Sequence, residues 1–115
     1  MIEDKEEHEI EIINDTEIDT EKALNVLRGV FDPEIFFSIY DIGLIYKVEI
    51  TEKKIAVVMT LTSVNCPEAQ SLPDEVFNMM QLEFPNHEIL VDITFEPQWT
   101  VDNMADAVKL KLGLL

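Results

Sequence analysis

Two stretches near the middle of the chain alternate between apolar and polar residues. Across 44–51, Leu44, Tyr46, Val48 and Ile50 share one side, and Lys47 and Glu49 share the other. Across 54–62, Ile55, Val57, Met59 and Leu61 fall on one side. A period of two predicts strands with one buried face. The polar link Glu52-Lys53 is short, so the pair reads as an antiparallel hairpin, though without the Asn-Gly pair that would name its turn. A third alternation over 88–96 groups Ile89, Val91, Ile93 and Phe95, and Pro97 closes it.

Three other stretches follow helical spacing. Ala23, Leu24, Leu27 and Val30 predict a helix over 20–30, capped by Asp19 or Thr20 and stopped by Asp32-Pro33. Leu72, Val76, Met79, Met80 and Leu82 or Glu83 predict a second over 72–84, ended by Pro85-Asn86. Ser71 and Asp74, three apart, suit a capping box with Asp in place of Glu. A last helix is expected over 101–112, capped by Thr100 or Asp102, with Gly113 as its stop. The segment 33–43 has no sustained period and reads as an ordered loop whose apolar residues plug one end of the core.

The order is then α-β-β-α-β-α. It predicts an α/β (α+β two-layer) domain over 19–115: a mixed three-stranded sheet with helices packed on one face. The second and third strands, joined through a helix, should run parallel. Residues 1–18 precede this domain. Glu9-Ile10-Glu11-Ile12-Ile13 alternates briefly and suits an edge strand, but the first 21 residues hold ten acids and one base, which repel one another. A flexible acidic extension is therefore expected.

The chain has 115 residues, one cysteine and a formal net charge of −16, of which the remaining 94 residues supply −7. Phosphate backbones and anionic membranes attract Lys and Arg, so nucleic-acid and membrane partners are disfavoured, while basic protein faces and cations are not. No apolar run reaches the roughly 20 residues that span a bilayer. The acidic start lacks a signal-peptide pattern, and one cysteine cannot close an internal disulfide, so a cytoplasmic protein is expected.

Cys66 is the residue of most chemical interest. It follows the second strand in Thr60-Leu61-Thr62-Ser63-Val64-Asn65-Cys66-Pro67, in a polar loop that leads to a helix. Sites in α/β units gather outside such strand ends, and a nearby helix N-terminus favours thiolate. Pro73 argues that the helix starts near Leu72, further from Cys66. A buried structural cysteine is the competing reading. Neither His8 nor His87 has a neighbour at zinc-ligand spacing, and both read as surface histidines. Asp32, Glu34 and Asp41 form an acidic group suited to acid–base work or cation binding, or to capping and loop hydrogen bonds. Trp99 either covers the core or meets a partner. There is no glycine-rich phosphate loop, no Ser/His/Asp signature and no base placed beside the cysteine, so the chain does not read as an enzyme.

Four motifs in order carry a resemblance: Phe31-Asp32-Pro33-Glu34, Asp41-Ile42-Gly43-Leu44-Ile45-Tyr46, Thr60-Leu61-Thr62 through Cys66-Pro67, and Pro97-Gln98-Trp99 through Met104. Over about residues 20–114 the chain resembles the small iron–sulfur cluster assembly domains of the SufT and PaaD type. Ile42 and Ile45 stand where Leu and Val are usual, and the acidic extension lies outside the resemblance. The resemblance implies a role in maturing iron–sulfur proteins, with Cys66 as the reactive or cluster-binding residue and Asp32, Glu34, Asp41, Gly43, Thr60, Thr62 and Trp99 lining its site. Its implied partners are the assembly machinery and client apoproteins. The implied cargo is a transient cluster, held between two chains of a homodimer or with a small thiol, or lost on purification, because one thiolate cannot supply the four ligands that cluster irons usually take. Two other readings stay open: an accessory subunit of a multicomponent oxygenase, and an interaction module with an inert cysteine.

Overall fold

The hairpin forms at the middle of the sheet: strands β2 (Ile45–Ile50) and β3 (Lys54–Met59) pair antiparallel. The Thr51 N–H donates to the Lys54 carbonyl at 2.8 Å, and the Lys54 N–H donates to the Thr51 hydroxyl at 3.0 Å. The structure, a computed structural model, describes residues 10–32, 36–62 and 71–113.

The sheet has four strands rather than the expected three. Strand β1 (Glu11–Asn14) adds to β2 in parallel, with Ile12 opposite Val48. Strand β4 (Glu88–Ile93) runs parallel to β3, so the order is β1-β2-β3-β4. Repulsion among the acids does not prevent β1, because Ile12 and Ile13 alternate on a ladder whose backbone partners are already fixed by the hairpin. The Asn14 side chain then turns the chain into helix α1 (Thr20–Arg28). Its amide donates to the Ile18 carbonyl and to the Thr20 hydroxyl, both at 2.8 Å, and its oxygen accepts from the Thr16 N–H and hydroxyl.

Helix α1 is capped by Asp19, whose carboxylate accepts from the Glu21 N–H at 3.1 Å, and it ends at Arg28, two residues before the expected stop. The segment read as a loop contains a short helix, α2 (Ile39–Ile42), capped by Ser38 and ended by Gly43 in the left-handed region. Ile39 and Ile42 are fully buried and close the core at this end. Helix α3 (Leu72–Glu83) joins β3 to β4, with Leu72, Val76 and Met80 buried and Met79 and Leu82 exposed. The capping box is not formed: Ser71 sits in the α region and makes no side-chain cap, although Asp74 and Glu75 occupy the first turn as the helix dipole favours.

Beyond β4, which ends at Ile93 rather than at residue 96, the expected single helix is split. A 3₁₀ turn (Val101–Asn103) is followed by extended Met104 and Ala105, and then by helix α4 (Asp106–Lys111). Met104 is buried, and the Ala105 N–H donates to the Asp41 carbonyl at 2.8 Å. That contact with α2 takes the donor a continuous helix would have used.

The molecule is therefore two strand–helix–strand units, β1–α1–α2–β2 and β3–α3–β4, joined by the hairpin. Their helices α1 and α3 pack together. Ala23, Leu24 and Leu27 from α1 and Leu72, Val76 and Met80 from α3 share one core with Val48, Ile50, Ile55, Val57 and Met59. Lys47, Glu49, Ala56 and Val58 lie on the opposite face and are half-exposed.

One register shift changes the reading of β2. Ile50 faces Ile55, Val48 faces Val57 and Lys47 faces Val58, but Ile45 rather than Tyr46 faces Met59. Tyr46 is thus the extra residue of a β-bulge. Ile45 turns into the core, where it is fully buried, and Tyr46 is released from the inward face the alternation assigned it. His87 also departs from expectation. It is half-buried with its ring edge-on to Phe84, and its Nε2 has no hydrogen-bond partner among the described residues.

Candidate functional site

Because β1 runs with β2 and β4 with β3, one end of the sheet collects the starts of β1 and β2 and the ends of β3 and β4. The loop that carries Cys66 leaves β3 at this end. Cys66 and Glu34 lie outside the described residues; the other candidates of the motif reading can be placed.

Gly43, two residues before β2, and Thr60, directly after β3, both lie at this end. The Thr60 N–H donates to the Leu44 carbonyl at 2.8 Å, extending the β2–β3 pairing past the bulge, and Thr60 is fully buried. Gly43 has φ 87 and is buried against Asn103; a Cβ there would overlap the Asn103 backbone. Glycine is required twice over, for the backbone conformation and for the close approach. Trp99 is half-buried against the core, and its indole N–H donates to the Ile42 carbonyl at 2.9 Å, satisfying a carbonyl that the end of α2 leaves open. Thr62 is half-buried at the head of the Cys66 loop.

The acidic candidates have different surroundings. Asp32 is buried; its backbone N–H donates to the Phe37 carbonyl at 3.0 Å and its carbonyl accepts from the Phe36 N–H at 2.8 Å. Asp41 is exposed on α2, and its backbone carbonyl accepts from the Ala105 N–H.

Two residues outside the candidate set hold this end together. The Tyr46 hydroxyl donates to the Pro97 carbonyl at 2.8 Å and accepts from the Asn103 amide at 3.5 Å. Burial pushes the Tyr46 phenol above its ordinary value, while hydrogen bonds with Asn103 and Thr60 act in the opposite direction. It therefore stays a hydrogen-bond donor at neutral pH. Tyr46 belongs to a quoted motif, but only the bulge, which period-two reasoning does not see, reveals its direction. Asn103 lies within the Pro97–Met104 motif, but nothing in its local pattern singles it out. Among the described residues, no three His, Cys, Asp or Glu side chains converge so as to hold a metal ion.

A family model described as "Iron-sulfur cluster assembly protein" matches residues 20–94, which run from the start of α1 to just past β4. The chain belongs to the iron–sulfur cluster assembly protein family. The match covers α2, Gly43, Tyr46, Thr60 and Thr62, together with the Cys66 loop. Within the family, the chain is 38% identical over 96 residues to an Fe-S protein maturation auxiliary factor of Porphyromonas gingivalis, an alignment covering 83% of this chain and 91% of that one. It is 37% identical over 87 residues to the Fe-S protein maturation auxiliary factor SufT of Staphylococcus aureus, covering 74% of this chain and 98% of that one. Solved structures share the fold. A domain of unknown function, DUF59, from Bacillus anthracis superposes with a TM-score of 0.75 at 31% identity, covering 83% of this chain and 92% of that one. A conserved hypothetical protein from Thermotoga maritima gives 0.73 at 28%, covering 84% and 95%.

Proposed function

We propose that this protein is a maturation factor for iron–sulfur proteins and that it acts through Cys66 rather than as an enzyme. The observation that carries the functional reading is near full-length similarity to relatives described as Fe-S protein maturation auxiliary factors, one of them at 38% identity over 91% of its length. Those names favour cluster maturation over the oxygenase-accessory and inert-module readings. The architecture supports the role of Cys66: its loop leaves the end of the sheet where Gly43, Thr60, Thr62 and Trp99 gather.

The cluster is cargo in this reading. The chain has a single cysteine, whereas cluster irons usually take four thiolates, so a bound cluster draws its remaining ligands from a second copy, a small thiol or the client. Open ligation of that kind favours release to a client apoprotein. Partners are assembly proteins and client apoproteins of the cytoplasm; no helix among the described residues is long and apolar enough to cross a membrane.

Anaerobic reconstitution with iron and sulfide tests this. The wild-type protein should develop visible cluster absorbance and pass the cluster to an apo-acceptor, and Cys66→Ser should do neither. Equal absorbance and equal transfer by both forms would remove Cys66 from the mechanism.

A further inference from the structure

Beside the site, a cavity of about 300 Å³ opens between the start of β1, α1, α2 and the 3₁₀ turn. Ile10, Ile12 and Leu24 form its apolar wall, and Tyr40, Asp41 and Asn103 supply its polar groups. Asp41 is the only carboxylate in this lining among the described residues, and it is exposed. Among the described residues the ion pairs are Lys22–Glu83, Arg28–Glu21 and Lys109–Asp106, and none of them involves Asp41. The Arg28 guanidinium stacks on the Tyr40 ring at 4.4 Å, yet Glu21 and Asn25 hold it at 3.1 and 2.6 Å. The Arg28 charge is thus matched by Glu21 and Asn25 rather than by Asp41.

We propose that this cavity receives a basic side chain from a partner protein, with its aliphatic stem against Ile10, Ile12 and Leu24 and its charged head at Asp41. Lys and Arg are the side chains that combine an apolar stem with a cationic tip. A purely apolar occupant would bury Asp41 without a counter-charge, and an acidic one would meet like charge. The protein's own first nine residues suit the cavity poorly, since they hold five acids and one lysine. The overall charge of −16 draws basic surfaces toward the protein and adds to the encounter rate. The assignment stands on the cavity and does not depend on Cys66.

The test is amide chemical-shift titration of the full chain with n-butylguanidinium, a surrogate for an arginine side chain, beside its neutral isostere n-butylurea. Shifts should concentrate at Leu24, Asp41 and Asn103 with the cation. Because Asp41 is exposed, Asp41→Asn should weaken binding by about 1.5- to fivefold, the range expected of a solvent-screened ion pair. Glu52→Gln, on the hairpin, should leave it unchanged. Either of two results overturns the proposal: cation shifts spread evenly over the acidic surface with no response to Asp41→Asn, or n-butylurea binding as well as n-butylguanidinium. Unchanged near-ultraviolet circular dichroism in Asp41→Asn keeps the comparison one between folded proteins.

Discussion

Gly43 sits in close contact with the Asn103 backbone. Its φ of 87 lies where side chains are rarely accommodated, and the Asn103 backbone fills the space a Cβ would need. Gly43→Ala should therefore lower stability by about 2–4 kcal/mol, combining backbone strain with displacement of the 3₁₀ turn. A urea midpoint matching the wild type would show that Asn103 moves aside freely. Tyr46, next to this point, makes a pH prediction. Its phenol is held above the ordinary value of 10 by burial. The unfolded chain ionises first as pH rises, so the contribution of Tyr46 is whole below pH 10 and fades as pH climbs through the folded-state value. Absorbance titration at alkaline pH should show a phenolate component above 10 that Tyr46→Phe removes. A titration curve whose high-pH limb survives the substitution would assign that limb elsewhere.

At the scale of elements, β1 shows why alternation alone underdetermined the sheet. Glu9 through Ile13 has the right period, but the charge argument pointed the other way, and a four-residue strand cannot be decided without its ladder. What makes it possible lies at its end, in Asn14. This side chain closes the turn with bonds to Ile18, Thr20 and Thr16. Asn14→Ala should cost about 1–2 kcal/mol, which for a domain of this size is a fall in melting temperature of roughly 4–10 °C. An unchanged melting curve would mean that β1 docks without its turn. The helices were legible because their apolar stripes are local: Ala23, Leu24 and Leu27, and Leu72, Val76 and Met80, are buried where the spacing put them. The split before α4 was not, because it depends on a hydrogen bond from Ala105 to Asp41, 64 positions earlier in the chain. The same holds for the candidate site. Gly43 and Trp99 were found through motifs, whereas the Tyr46–Asn103 contact that joins them depends on a bulge and on long-range packing.

The whole molecule carries 24 acids against 8 bases on 115 residues. Three ion pairs, two of them within or near α1 and α4 and one joining α1 to α3, neutralise little of this among the described residues. Self-repulsion then opposes the compact state and is relieved by screening. The melting temperature should rise by a few degrees between about 10 mM and about 300 mM sodium chloride, as the Debye length shrinks from about 30 to about 6 Å. A flat or falling response in calorimetry would show that local pairing already compensates the charge. The pairing of two strand–helix–strand units through a hairpin has a practical corollary. The turn at Glu52-Lys53 is exposed and sits at the pole of the sheet farthest along the strands from Gly43, Thr60 and the departure of the Cys66 loop. A fluorophore, affinity handle or tether inserted between those two residues should leave the opposite pole open, so that docking and cargo handover can be watched from a label that takes no part in either.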